Sequence, residues 1–138
     1  MAVYNKFNVF TQDLVQGAHN FSTATFKVML TDVAPIATNT VKANITEIAA
    51  GNGYSAGGSA TTIGLSNSSG TETVTATTVT ITASGGSIAQ FRYAVLYNST
   101  QTTPLGPLVA WFDNGSEINL TSGSSVQISF PSNLFTLV

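Results

Sequence analysis

The chain has no cysteine, a single histidine (His19), and only four basic and six acidic side chains in 138 residues. Without cysteine there is no disulfide to staple a small core and no thiolate to hold a metal, so stability must come from packing, backbone hydrogen bonds or association. One imidazole cannot anchor a zinc site, and Asp13, Asp32, Glu47, Glu72, Asp113 and Glu117 never cluster at a ligand spacing. No cofactor or metal is expected. Lys6, Lys27, Lys42 and Arg92 lie far apart, which removes the cationic footprint that phosphate backbones or anionic lipids attract. Neither nucleic acid nor a membrane is therefore expected as a partner. No run approaches the roughly 18 apolar residues of a membrane span. The start, Met1-Ala-Val-Tyr-Asn-Lys-Phe, has no basic segment leading into an apolar one, so no secretion signal is expected. Groups able to trade protons are so scarce that a structural or binding role is favoured over an enzyme.

What the chain does have is threonine, serine, asparagine and glycine almost throughout. Charged residues make up 7% against an average of about 25%, while the 43% hydrophobic content is ordinary. That balance predicts a folded chain rather than a disordered one. The length suits a single β domain over residues 1–138, with 1–17 as an N-terminal arm or helix.

In Asn5 to Gln16, Phe7, Phe10 and Leu14 recur at spacings of three and four, and Gly17 stands where a helix would stop. This predicts one short amphipathic helix, either a lid on the core or an arm for a partner. The arm reading makes Tyr4, Phe7, Phe10 and Leu14 a candidate partner interface. Beyond Gly17 the period becomes two. Thr23 to Leu30 sets Ala24, Phe26, Val28 and Leu30 against Thr25, Lys27 and Met29. Thr73 to Thr82 alternates as well, with a slip at Thr77-Thr78 that predicts a bulge. Ile88 to Tyr97 and Leu108 to Phe112 are more continuously apolar and aromatic and predict central strands covered on both faces; Ser125 to Phe130 and Leu134 to Val138 complete the set. Glycine clusters at Gly51 to Gly58 and Ser84 to Ser87, and an expected turn at Asp113-Asn-Gly-Ser, punctuate these runs. The pattern predicts an all-β antiparallel sandwich or barrel, jelly-roll or immunoglobulin-like, with one short N-terminal helix.

Motifs with chemical meaning are weak. Gly53-Tyr-Ser-Ala-Gly57 fits the Gly-x-Ser-x-Gly elbow around Ser55, with His19 and an acid as nominal partners. An elbow needs a helix directly after its serine, and Gly57-Gly-Ser-Ala-Thr-Thr is a poor helix former. A glycine-rich loop and a turn histidine are the simpler readings. Phe91, Tyr93, Tyr97, Trp111 and Phe112 read as core; a sugar-stacking platform would need several aromatics exposed near Tyr54, Tyr97 or Trp111.

Several longer stretches carry a resemblance: Thr25-Phe-Lys-Val-Met-Leu-Thr-Asp-Val-Ala-Pro, Thr38-Asn-Thr, Ile45-Thr-Glu-Ile-Ala-Ala-Gly-Asn-Gly-Tyr, Ala83-Ser-Gly-Gly-Ser-Ile-Ala-Gln-Phe-Arg-Tyr-Ala-Val-Leu-Tyr-Asn and Pro107-Leu-Val-Ala-Trp-Phe-Asp. Over nearly its whole length the chain resembles small virion proteins encoded among the structural genes of tailed bacteriophages. The resemblance implies a head decoration (cement) protein, or a head-fibre or tail part that displays the sandwich to host-surface glycans or a receptor. It implies the major capsid protein and further copies of the chain, as a homotrimer, for partners. The implied location is the capsid surface of a virion assembled in the host cytoplasm. It carries over no catalytic residues.

Overall fold

The computed structural model describes residues 3–138, along which the chain runs β1 (Val3–Lys6), α1 (Val9–Val15), β2 (Phe26–Thr31), β3 (Ser59–Thr61), β4 (Ile63–Ser68), β5 (Thr71–Ala76), β6 (Val79–Thr82), β7 (Ile88–Asn98), β8 (Leu108–Leu120), β9 (Ser125–Ile128) and β10 (Phe135–Leu137). The first two residues of the expected arm, Met1 and Ala2, lie outside the described residues. The fold is all-β and sandwich-like, with one short helix. Strands β1-β8-β7-β2-β3 form one sheet, β10-β5-β4 a second and β6-β9 a third, and every pairing is antiparallel.

The large sheet turns Phe26, Val28, Leu30, Ala94, Leu96, Ala110 and Phe112 inward, where they meet Val74 of β5, Val79 and Ile81 of β6, Ile128 of β9 and Leu134. Fully burying each of the larger side chains contributes about 1.5–3 kcal/mol before the entropy of ordering is subtracted. Its opposite face is covered too: Met29, Val95, Tyr97 and Leu108 pack with Phe7 into a second cluster flanked by Val9, Ile45 and Trp111. Two covered faces explain why the second half of β7, Tyr93 to Tyr97, and the start of β8, Leu108 to Phe112, read as unbroken apolar and aromatic runs. They also bury Met29, which the alternation of β2 had placed on the open side.

The predicted helix over Asn5–Gln16 is shorter, because Val3–Lys6 is drawn into the sheet as an edge strand facing Ala110–Asp113 of β8. Phe7 and Asn8 carry the chain away through backbone bonds to Val109 (3.2 Å) and Ala37 (2.9 Å). Gly17 ends the helix with a left-handed φ of 79° and a backbone bond to Leu14, as its position predicted.

Three other expectations change. The single strand over Thr73–Thr82 is two strands in different sheets. Thr77 and Thr78 are the crossing point, fixed by Thr77 N–H to Thr62 O (3.0 Å), Thr62 N–H to Thr77 Oγ1 (3.0 Å) and Thr61 Oγ1 to Thr77 O (2.7 Å). Asp113-Asn-Gly-Ser is not a turn between strands but a bulge inside β8. Between the pairs Tyr93/Asp113 and Phe91/Ile118, β8 spends five residues where β7 spends two. Strands β3 and β4 went unread; β4 and β5 form a hairpin around Ser69 and Gly70, both left-handed.

Candidate functional site

Tyr4, Phe7, Phe10 and Leu14 do not form one exposed stripe. Phe7 precedes the helix and is fully buried on the outer face of the large sheet, its ring 4.6 Å from that of Trp111. Phe10 is 3% exposed and faces the inner core, edge-on to Phe21 and Phe135. Tyr4 packs edge-on against Phe112 at 5.4 Å, and Leu14 is partly buried against the same core. Split by the strand-to-helix change at Phe7, these side chains close the core of their own chain. Phe7 and Phe10 have no free surface to offer a partner.

His19 lies within 6.0 Å of the rings of Phe10, Phe21 and Phe26, and neither of its nitrogens has a hydrogen-bond partner among the described residues. Burial pulls its pKa down to about 4, so the ring is neutral. It is an aromatic core member rather than a turn residue. Asp13 is also buried, and that burial raises its pKa.

The glycine cluster is a locked loop. Glu47 Oε1 accepts the Tyr54 hydroxyl at 2.7 Å and the Gly57 N–H at 2.6 Å, while Lys42 Nζ sits 3.9 Å from Oε2 and over the Tyr97 ring. The Tyr54 hydroxyl in turn accepts the Leu30 N–H, and the Tyr97 hydroxyl donates to Gly57 O at 2.7 Å. Desolvation raises the pKa of both phenols, that of Tyr97 to about 12, so they stay protonated donors. Ser55 is exposed on this loop and is followed by β3, not by the helix an elbow needs. With Tyr54 and Tyr97 buried and Trp111 packed on Phe7, these aromatics are core, as expected, and do not form the alternative, an exposed sugar-stacking platform.

The bulge of β8 borders a cleft of about 400 Å³ between β7, β8 and β9. Phe91, Ala94, Phe112 and Ile128 form an apolar floor; Arg92, Asn114, Gln127 and Ser129 stand among its polar lining. At its edge Arg92 donates to both oxygens of Asp113, Nε at 2.7 Å and Nη2 at 3.0 Å, and Asp113 Oδ1 also accepts the Gly115 N–H at 2.7 Å. The guanidinium first, then the amide, holds the Asp113 carboxyl below the usual carboxylate range. Such a pair fixes shape and leaves no group poised to exchange a proton at neutral pH. A second, shallower groove of about 410 Å³ runs from Leu14 and Phe21 to Leu65, Phe135 and Leu137.

These cleft residues went unnoticed in the sequence because Asp113-Asn-Gly-Ser looked like a connection. The apolar beats of Ile118 and Leu120 beyond it were the signal that the strand continues. Among the described residues, no three His, Cys, Asp or Glu side chains gather to hold a metal ion. Compared with protein-family models, with characterised proteins and with solved structures, the chain matches none.

Proposed function

We propose that this protein is a non-enzymatic decoration (cement) protein of a tailed-bacteriophage head, seated on the major capsid protein as a homotrimer. The observation that carries the reading is how the charges are disposed. Lys42 is set against Glu47 and Arg92 against Asp113, Asp13 is buried, and Asp32 and Glu72 accept bonds from Gln90 and Asn67. The remaining exterior is largely neutral hydroxyl, amide and backbone, with exposed apolar side chains such as Val33, Ile36, Leu65 and Leu105 among them. Subunits can bury such a surface without stranding an ion, which would cost several kcal/mol. Weak contacts of this kind, repeated on a symmetric shell, sum to firm attachment. The resemblance to phage structural proteins points the same way.

The test is to compare particles with and without the protein. Density on the outer shell and genome release at a higher temperature when it is present are expected; unchanged release and no shell density would reject the proposal. The cleft beside Arg92, Asn114 and Gln127 gives the head-fibre or tail reading its one foothold, as a site for a host-surface glycan. A glycan array on the wild type and on Gln127→Ala, a change in the exposed lining of that cleft, separates that reading from cementing.

A further inference from the structure

We infer that Asn114-Gly115 is a site of spontaneous deamidation, whereas the chain's other exposed Asn-Gly pair, Asn52-Gly53, is protected by the fold. The contrast rests on how each pair is held. Residues 114–117 lie in the β8 bulge, where, among the described residues, no Cα partner on β7 or β1 falls opposite them. All four are exposed, and a Cβ placed on Gly115 would meet nothing within 4 Å, so the segment has room to move. Among the described residues the Asn114 side-chain amide is tied only within its own bulge, through Nδ2 to Ser116 O at 3.0 Å and to Ser116 Oγ at 3.5 Å. Asn52, in contrast, is fixed to distant chain. Its Nδ2 donates to Ser87 O at 2.8 Å, its backbone oxygen accepts the Ser84 N–H at 2.9 Å, and its amide group wedges against Gly86. Gly53 is packed against the Thr82 carbonyl, so that peptide cannot swing toward its neighbour's side chain.

In the reaction the Gly115 nitrogen attacks Asn114 Cγ and forms a five-membered succinimide. The Cγ–Nδ2 bond breaks, and Nδ2 leaves as ammonia, taking up the equivalent of the proton lost from the Gly115 N–H. Water then opens the ring. Cleavage of the new Cγ–N bond gives aspartate; cleavage of the original backbone bond gives isoaspartate, which carries the chain through the side-chain methylene. No oxidant or reductant is involved, and water is the sole co-reactant. Glycine matters at the second position because it has no side chain to block the attack and a backbone free to take the required angle. Either product adds a carboxylate to a segment that already holds Asp113 and Glu117 and faces a single guanidinium, Arg92. The Nδ2 bonds to Ser116 are lost at the same time, so the change falls on the rim of the cleft that Asn114 lines.

The experiment is to incubate the intact protein in mildly alkaline buffer, alongside a sample held unfolded in denaturant, and follow both asparagines by peptide mapping with isoaspartate detection. In the folded protein Asn114 is expected to convert at least about tenfold faster than Asn52, because Asn52 must wait for local opening. In the unfolded sample the two rates should converge. Equal rates in the folded protein, or an Asn114 that stays intact while the unfolded chain reacts, would overturn the inference. Asn114→Gln, neutral and similar in its hydrogen bonding, should remove the isoaspartate signal from the folded protein; its persistence would place the reaction elsewhere and also overturn it.

Discussion

Packed among Phe10, Phe21 and Phe26, the His19 imidazole stays neutral down to about pH 4, against 6.5 for an ordinary histidine. Because the folded-state pKa is lowered, the unfolded chain binds the proton more tightly. The resulting stability is fully present above pH 6.5 and is lost as pH falls from there towards 4. The shift is worth roughly 3 kcal/mol at most. Asp13 acts in the opposite sense, since burial raises its pKa and its protonated form favours the folded state at acid pH. Urea titrations over this range should show midpoints falling with pH in the wild type, a flatter profile for His19→Leu and a steeper one for Asp13→Asn. An unchanged slope in His19→Leu would remove His19 as the cause. The Tyr54 hydroxyl links Leu30 N–H to Glu47, so Tyr54→Phe leaves a buried amide and a carboxylate oxygen short of a partner. It should lower stability by about 1–3 kcal/mol, read as a shifted denaturation midpoint at constant slope. Neither role was legible in the sequence. Both depend on partners brought together by pairing of distant strands, and a lone histidine or a glycine-flanked tyrosine gives no local sign of it.

Elements were legible where a pattern is set within one strand and obscure where a partner decides. The alternation of Phe26, Val28 and Leu30 and the apolar and aromatic runs of β7 and early β8 revealed the three central strands of the large sheet, β2, β7 and β8, but not its edges β1 and β3. Asn5 and Lys6 were drawn into the expected helix by the spacing of Phe7, Phe10 and Leu14; pairing with the edge of β8 makes them strand instead. Likewise Thr77-Thr78 and Asp113–Ser116 are irregular in sequence, but whether an irregularity means a bulge, a turn or a change of sheet depends on the strand opposite. Glycines separate in the same way. Gly58 leads into β3 with φ +76°, and a Cβ there would run into the Val28 carbonyl and lie 2.7 Å from Met29 Cα, both backbone. Gly70, with φ +82° in the β4–β5 turn, has nothing within 4 Å. Gly70→Ala should therefore cost only the left-handed backbone term, about 1–2 kcal/mol. Gly58→Ala adds a clash between two main chains, which should bring the loss to about 2–5 kcal/mol. Thermal unfolding of the two variants side by side checks this, and equal losses would mean that β2 and β3 can move apart at that point.

For the molecule as a whole, the scarcity of charge sets how it can be held by anything else. Attachment through ion pairs weakens as salt rises, since the screening length falls from about 10 Å at 0.1 M to about 3 Å at 1 M. Attachment through neutral hydroxyl, amide and apolar surface does not weaken, and burial of apolar area is strengthened by excluded salts such as sulfate. Lys42 and Arg92 are already set against Glu47 and Asp113, and Lys6 and Lys27 stand apart in sequence, so the exterior has little long-range field with which to hold a charged partner. If the protein decorates a phage head as proposed, washing purified particles at rising sodium chloride should leave its copy number unchanged up to salt concentrations that strip electrostatically bound proteins. Urea, which solvates apolar and peptide groups alike, should release it first. Release by salt alone, at concentrations where the shell stays intact, would mean that a charge outside the two internal pairs carries the attachment, and would direct attention to Lys6, Lys27 and Glu117.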